Sequence, residues 1–495
     1  METAKDSTEK NPVEIFFPQA QALGLDVDEM LSPSLLEKVS YVGTLLKSFR
    51  QGDVAIEKLL DISLGHKRLE RITERIGAER LVEADQEVAA FQALTLMGKL
   101  AGPKNVRSPV SAAVMADGGR YQRCEQNESE DGDRRTHWFE DKAGLCLELG
   151  GRRDDVAASS DAVDPCPQVP GFLMNIEQIE TLTREIGQKA TEKAALSEAD
   201  ASSINALHAA NTNTPINTTD DGQINLHDAQ TLSDLERIVA AAQPSSSGRQ
   251  AAADSVDDLP MSPKVITRDV VATLENSRHL GLKLAAHAWS LGLFQAKFKA
   301  FVGDGSSWIW TIFEKHFRPF KFIAVLDIIH AVTYVYAAAM AGRTEKNGTL
   351  IYHQWVSWLW SGEVSQVITA LAKRQSELGV PTDEDGPTSP RQIVSGALTY
   401  LQNQQSRMNY PLYRKLGLPI TSSHMESAIK ELNFRMKGTE KFWSKQGGQS
   451  VIQLRADNLS DTDPLSIFWK ERAKNRTGLR RCGGIQKAAA LPSAT

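Results

Sequence analysis

Cysteine is scarce in this 495-residue chain, and Cys124, Cys146, Cys166 and Cys482 show neither a Cys-x-x-Cys pair nor a histidine at zinc-finger spacing. That excludes a disulfide framework and a zinc finger, and it suits thiols kept reduced in a cytosol. Proline is missing from Leu35 to Leu100, and no aromatic residue occurs between Phe172 and Trp289. The first absence favours helices; the second, with Ala199 to Met261 rich in Ala, Ser, Thr, Asn and Asp, excludes a packed core there. An excess of basic charge is also lacking, the formal net charge being −6. A nucleic-acid partner therefore needs locally clustered Lys and Arg.

Only one apolar run, Phe322–Gly342, approaches the length of a bilayer span, and it contains Asp327 and His330. Ionisable groups in a lone span are costly, so the run reads as a buried strand leading into a buried helix, with no membrane partner. The opening METAKDSTEKNPVE has no apolar stretch of the signal-peptide kind, and export is not expected. What is present is enough apolar sequence, 41 % of residues, for at least one sizeable core.

Residues 1–34 read as a flexible extension and 35–105 as an all-α domain. Asp53 is expected to cap a short helix VAIEKLL, DISLG to turn, and His66–Gly77 to form a second helix with Leu69, Ile72 and Ile76 on one face. This is a helix-turn-helix outline whose basic face carries Lys67, Arg68 and Arg71, suited to a DNA groove or its phosphates. A plain helical hairpin with a solvated face fits the same pattern.

From residue 106 the pattern changes to strand-like runs: VSAAVMADGG, HWFEDKAGLCLEL, KVITRDVVATL and FKAFVGDG. Asn276 is expected to cap a helix, and SSWIWTIFEKHF to form another before FIAVLDIIH. Three strands, a helix, a strand, a helix, a strand and a late helix make the order of a ribonuclease H-like α/β core. It occupies 106–175 and 263–330, split by a low-complexity acidic insertion at 176–262. An all-helical insertion at 331–415 separates it from a helix at 416–445, and a basic tail, 446–495, ends the chain. The Trp355, Trp358 and Trp360 cluster reads as the second insertion's core.

Asp117 and Asp304 each follow an apolar run and precede glycine, and Glu426 lies on the late helix one turn before Lys430. Carboxylates from distant segments at one edge are what two divalent ions need for phosphoryl transfer. Lys430, Arg435, Lys437 and Arg120 are candidate contacts to a DNA backbone.

Four segments, ADGGR (Ala116–Arg120), AFVGDGSSWIWTIFEKHF (Ala300–Phe317), LDIIHAVTYVYAAA (Leu326–Ala339) and PITSSHMESAIKELNFRMKGTEKFW (Pro419–Trp443), together resemble the DDE-type insertion-sequence transposases of the ISKra group, relatives of the mutator-like superfamily. The resemblance implies Asp117, Asp304 and Glu426 as the catalytic and metal-binding triad for two Mg2+ or Mn2+ ions. Asp327 and His330 would be its accessory Cys/Asp-x-x-His pair, with Asp327 the rival second ligand. It also implies cleavage and joining of double-stranded DNA at terminal inverted repeats and at a target. The assembly would be a homodimer or larger, in a prokaryotic cytoplasm at the nucleoid. Two alternatives remain: a nuclease of the same fold that does not join, and a catalytically silent DNA-binding protein.

Overall fold

The computed structural model describes residues 13–16, 18–23, 25–26, 28–124, 136–150, 163–187, 263–386, 388–438, 441–474 and 479–482. The low-complexity insertion lies outside the described residues beyond position 187.

A mixed sheet organises the chain. Its strands are β1 (Ser111–Cys124), β2 (Thr136–Leu149), β3 (Val265–Thr273), β4 (Phe298–Gly303) and β5 (Ile323–Leu326), in the spatial order β3-β2-β1-β4-β5. The first three are antiparallel; β4 and β5 run parallel to β1. A two-residue strand, β6 (Phe442–Trp443), pairs in parallel with the far end of β1. The protein is therefore mixed α/β, with the strands where the apolar runs place them. Ser111–Ala116 is buried at every position, because helices cover both faces of the central strand.

The main helices are α1 (Pro33–Leu45), α2 (Phe49–Leu60), α3 (His66–Ala93), α4 (Ser277–Ser290), α5 (Ser307–Ile312), α6 (Ile328–Met340), α7 (Glu345–Trp360), α8 (Val364–Leu378), α9 (Pro390–Gln404), α10 (Ser423–Met436), α11 (Lys445–Asn458) and α12 (Pro464–Lys474). Asn276 caps α4 through a bond from His279 N, as its position predicts. Two glycines fix the layers. A Cβ at Gly144 would strike Leu284 of α4, and one at Gly119 would meet Asn433 of α10, so these helices lie on opposite faces of β1 and β2. Ile323–Leu326 runs directly into α6 inside the core, as expected for the Phe322–Gly342 run. Among the described residues no helix is long and apolar enough to cross a membrane.

Three expectations need revision. Ser48, not Asp53, caps α2, which begins earlier than expected; the Asp53 carboxylate instead accepts a bond from Gly65 N at the entry to α3. Helix α3 does not stop at Gly77 but continues to Ala93. Gly77 is a packing site: an added Cβ would lie 2.4 Å from the Ser450 carbonyl oxygen of α11. Nor are residues 446–474 a tail. They form most of α11 and α12, whose Leu454, Leu465 and Phe468 share a second core with Leu36, Val39, Ile56, Leu69, Ile72 and Ile76. Apolar residues at helical spacing outweigh the Lys and Arg between them. Of the expected tail, 475–478 and 483–495 lie outside the described residues.

Among the described residues the α7–α9 region holds helices and no strand, and Trp355 and Trp360 are buried with Trp358 packed against the core, so the tryptophans do form an interior.

Candidate functional site

The strand register brings two of the three predicted acids to one edge. Met115 lies opposite Val302 in the parallel β1–β4 pair, and carrying that register two residues further sets Asp117 opposite Asp304. Gly303 lies opposite Leu326 in β4–β5, so the next step sets Asp304 beside Asp327. A bond of 2.9 Å from Asp327 N to the Gly303 carbonyl holds this step. Three aspartates from three segments therefore line up in one row across adjacent parallel strands, Asp304 and Asp327 just past their strand ends and Asp117 within the longer β1.

Their surroundings differ. Asp117 sits mid-strand, half-buried, with one carboxylate oxygen accepting from Gly118 N at 2.7 Å. Asp304 lies just past its strand, where Oδ1 accepts from Ser306 N (2.8 Å) and shapes the turn into α5. Its main-chain carbonyl accepts from the Tyr400 hydroxyl at 2.8 Å, and the Gly305 carbonyl from Gln404 Nε2 at 3.3 Å. Gly305 has φ +109°, which only glycine adopts readily, and a Cβ there would collide with Tyr400. Helix α9 thus buttresses the Asp304 turn.

Asp327 is 1 % exposed and its carboxylate is fully engaged. Oδ1 accepts from Ile329 N (2.8 Å) and so caps α6. Oδ2 accepts from both Ser422 N (3.1 Å) and Ser422 Oγ. Ser422 is the N-cap of α10, so Asp327 fastens the start of the Glu426 helix to the sheet. A bond from Ile328 N to the Ile420 carbonyl (2.9 Å) reinforces the joint. His330 Nδ1 stands 3.4 Å from Asp327 Oδ2. Burial alone would lower the pKa of His330, but Asp327, with the charges of Asp304 and Glu426 behind it, raises it to about 9. The same histidine therefore feels three acids from three segments. Burial opposes the Asp327 charge, and the His330 cation 3.4 Å away together with the hydrogen bonds from Ser422 outweighs it, holding this carboxyl below the usual carboxylate range.

Glu426 occupies the first turn of α10, half-buried, with Lys430 exposed one turn on. Among the described residues no three His, Cys, Asp or Glu side chains gather closely enough to hold a metal ion. Asp117, Asp304 and Glu426 therefore do not form a closed ligand shell.

The candidate DNA contacts divide. Arg120 and Lys437 stand over one indole, Trp138, at 4.8 Å and 5.9 Å from the ring centre. Lys67 is exposed and pairs with Glu70. Arg68 and Arg71 both pair with Glu29, so an acidic turn before α1 already partners the basic face of α3. Arg435 is 1 % exposed: its guanidinium donates to the Gly43 carbonyl (2.9 Å) and lies between Phe49 and Trp443. That burial takes Arg435 out of reach of a DNA backbone and makes it the clasp between α10 and α1. Its spacing on the helix puts it on the opposite side from Lys430, a distinction the charge alone does not reveal.

Sequence reasoning also missed Asp141 of β2, which lies opposite Gly119, two residues from Asp117 on the same face. Asp141 lies in the charged string Glu140, Asp141, Lys142, yet it is completely buried. Strand alternation is the one signal that separates it from its neighbours.

No protein-family profile matches the chain. Over 62 residues it is 38 % identical to a "UPF0236 protein in vanSb 3'region" of Streptococcus gallolyticus, a stretch covering 12 % of this chain. The chain spans 14 % of the length of that curated relative, so the similarity is confined to one segment.

Proposed function

We propose that the chain is a DDE-type DNA transposase with a ribonuclease H-like core. The observation that carries this reading is the register: neighbouring parallel strands deliver Asp117 and Asp304 side by side, and Asp327 anchors the helix that brings Glu426 toward them. The sheet order β3-β2-β1-β4-β5, with its first three strands antiparallel, supports the same core.

Asp117, Asp304 and Glu426 offer hard carboxylate oxygens, the donor set that Mg2+ or Mn2+ prefers. When bound, two such ions supply an activated water or hydroxyl and stabilise the departing oxygen. The chain's own residues do the rest. Lys430, one turn after Glu426, is the cation that holds phosphates near the acids, and Lys437 and Arg120, which meet over Trp138, extend the basic surface along the DNA backbone. The Tyr400 and Gln404 bonds keep the Asp304 turn rigid, and the Ser422–Asp327 joint sets the position of Glu426. A nick exposes a 3′-hydroxyl, and the same acids direct it at a target phosphate, so no covalent enzyme intermediate is required. Two element ends call for two protomers on DNA.

The test is strand transfer: labelled terminal repeats, a target plasmid and Mg2+ or Mn2+. Joined product that disappears in Asp117→Ala and Glu426→Ala supports the proposal. Cleavage without joining identifies a nuclease, and DNA binding without cleavage identifies a silent derivative; either outcome rejects transposition.

A further inference from the structure

We infer that Asp141 and Asn433, with Asp117 beside them, form a site for a small divalent cation beneath α10. The side chain of Asp141 is 0 % exposed, and neither carboxylate oxygen meets a hydrogen-bond donor. Asn433 Oδ1, on α10, is buried and equally without a partner. These oxygens face one place. A Cβ built on Gly119 would lie 2.8 Å and 2.9 Å from the two Asp141 oxygens and 3.1 Å from Asn433 Oδ1. Three acceptors therefore converge on a hollow that exists only because residue 119 has no side chain.

Buried polar groups in folded proteins are paired, and a buried carboxylate without a counter-charge is strongly unfavourable. The missing group is positive. The adjacent Lys142 does not supply it: it is on the other face of β2, paired with Glu140 and standing 5.0 Å from the Trp308 ring centre. Burial, then the charges of Glu140 and Asp117, push the Asp141 acid up to about 7, the direction a bound cation would reverse.

An all-oxygen set from one carboxylate and one amide selects a hard cation such as Mg2+, Mn2+ or Ca2+ over softer metals. Asp117 is only half-buried and lies two residues before Gly119 on the same face, so it gives both a further ligand and a way in from the surface. The site shares Asp117 with the proposed catalytic triad, while Asp141 and Asn433 belong to it alone. The rival occupant is a proton on Asp141 shared with the Asn433 amide.

Electron paramagnetic resonance counts Mn2+ bound to the full-length protein in the absence of DNA. The expected result is an ion that wild type and Asp304→Asn both retain. Asp141→Asn, an isosteric change, and Gly119→Ala, which fills the hollow, each weaken it at least tenfold while circular dichroism shows an intact fold. The inference is overturned if wild type binds no Mn2+, if Asp304→Asn removes every bound ion, or if Asp141→Asn binds Mn2+ as wild type does. That last outcome, with a raised melting temperature in chelator, identifies the shared proton. Strand transfer is read separately, so loss of this ion and loss of joining are told apart.

Discussion

The Tyr400 hydroxyl donates to the main-chain carbonyl of Asp304 across 96 residues of sequence, at 2.8 Å. Its ring stacks on Tyr334 of α6 with centroids 3.8 Å apart and planes within 9°. The helical region between β5 and α10 is thereby tied to the turn that holds a candidate metal ligand. Burial pushes the Tyr400 phenol well above its ordinary pKa, so the hydroxyl stays protonated and keeps donating at any working pH.

Tyr400→Phe keeps the stack and deletes only the donor. A net hydrogen bond contributes about 1 kcal/mol, so stability should fall by about that amount, read from the denaturant midpoint. If the bond positions Asp304, DNA cleavage should fall by roughly tenfold at limiting Mn2+ while DNA affinity stays within about twofold. Equal loss of DNA affinity and cleavage would instead mean that the insertion has simply loosened.

Asp327 and Asp304 occupy neighbouring strand ends, and their roles separate by mutation. Asp327→Ala strands the buried His330 cation and releases Ser422, so it should cost about 3–5 kcal/mol in urea unfolding. Asp304→Ala, at a turn, should cost far less, about 1 kcal/mol, and abolish cleavage. A stable Asp327→Ala protein that cannot cleave would make Asp327 the metal ligand instead.

The positions of the strands were legible because apolar runs bounded by Gly and Asp are read directly. The exact alignment was not. It depends on the β1–β4 register, which is set by packing across the segment between them and leaves no local mark. Gly77 misled for a related reason: at the level of propensity it ends a helix, yet the close approach of α11 at Ser450 requires a glycine inside one. Arg435 and Lys430 look alike as letters, and only the rotation of α10 against α1 and β6 buries the first and exposes the second.

That contrast gives a direct measurement. Lys430→Ala should weaken DNA binding across all sequences and reduce the slope of log affinity against log salt by about 1. Arg435→Met should leave the slope unchanged and cost roughly 2–4 kcal/mol of stability, because the Gly43 and Lys47 carbonyls lose their donor and two rings lose their cation. The observable is a pair of salt titrations by fluorescence anisotropy, with thermal unfolding alongside.

The pH dependence of folding is argued from Lys283, on the buried side of α4, whose ammonium donates to Gln453 of α11. Burial outweighs the pull of Asp457 and lowers its pKa from 10.5 to about 8. Below pH 8 both folded and unfolded chains hold the proton, and the folded chain bears the full cost of a buried charge, about 3 kcal/mol. Between pH 8 and 10.5 the unfolded chain holds more protons, so this site makes stability rise with pH, by at most about 1.4 kcal/mol per unit. Lys283→Gln keeps a donor for Gln453 and cannot titrate. The wild-type urea midpoint should therefore gain on that of the variant from pH 8 to pH 10, and parallel curves would show that Lys283 is already neutral or well solvated at pH 8.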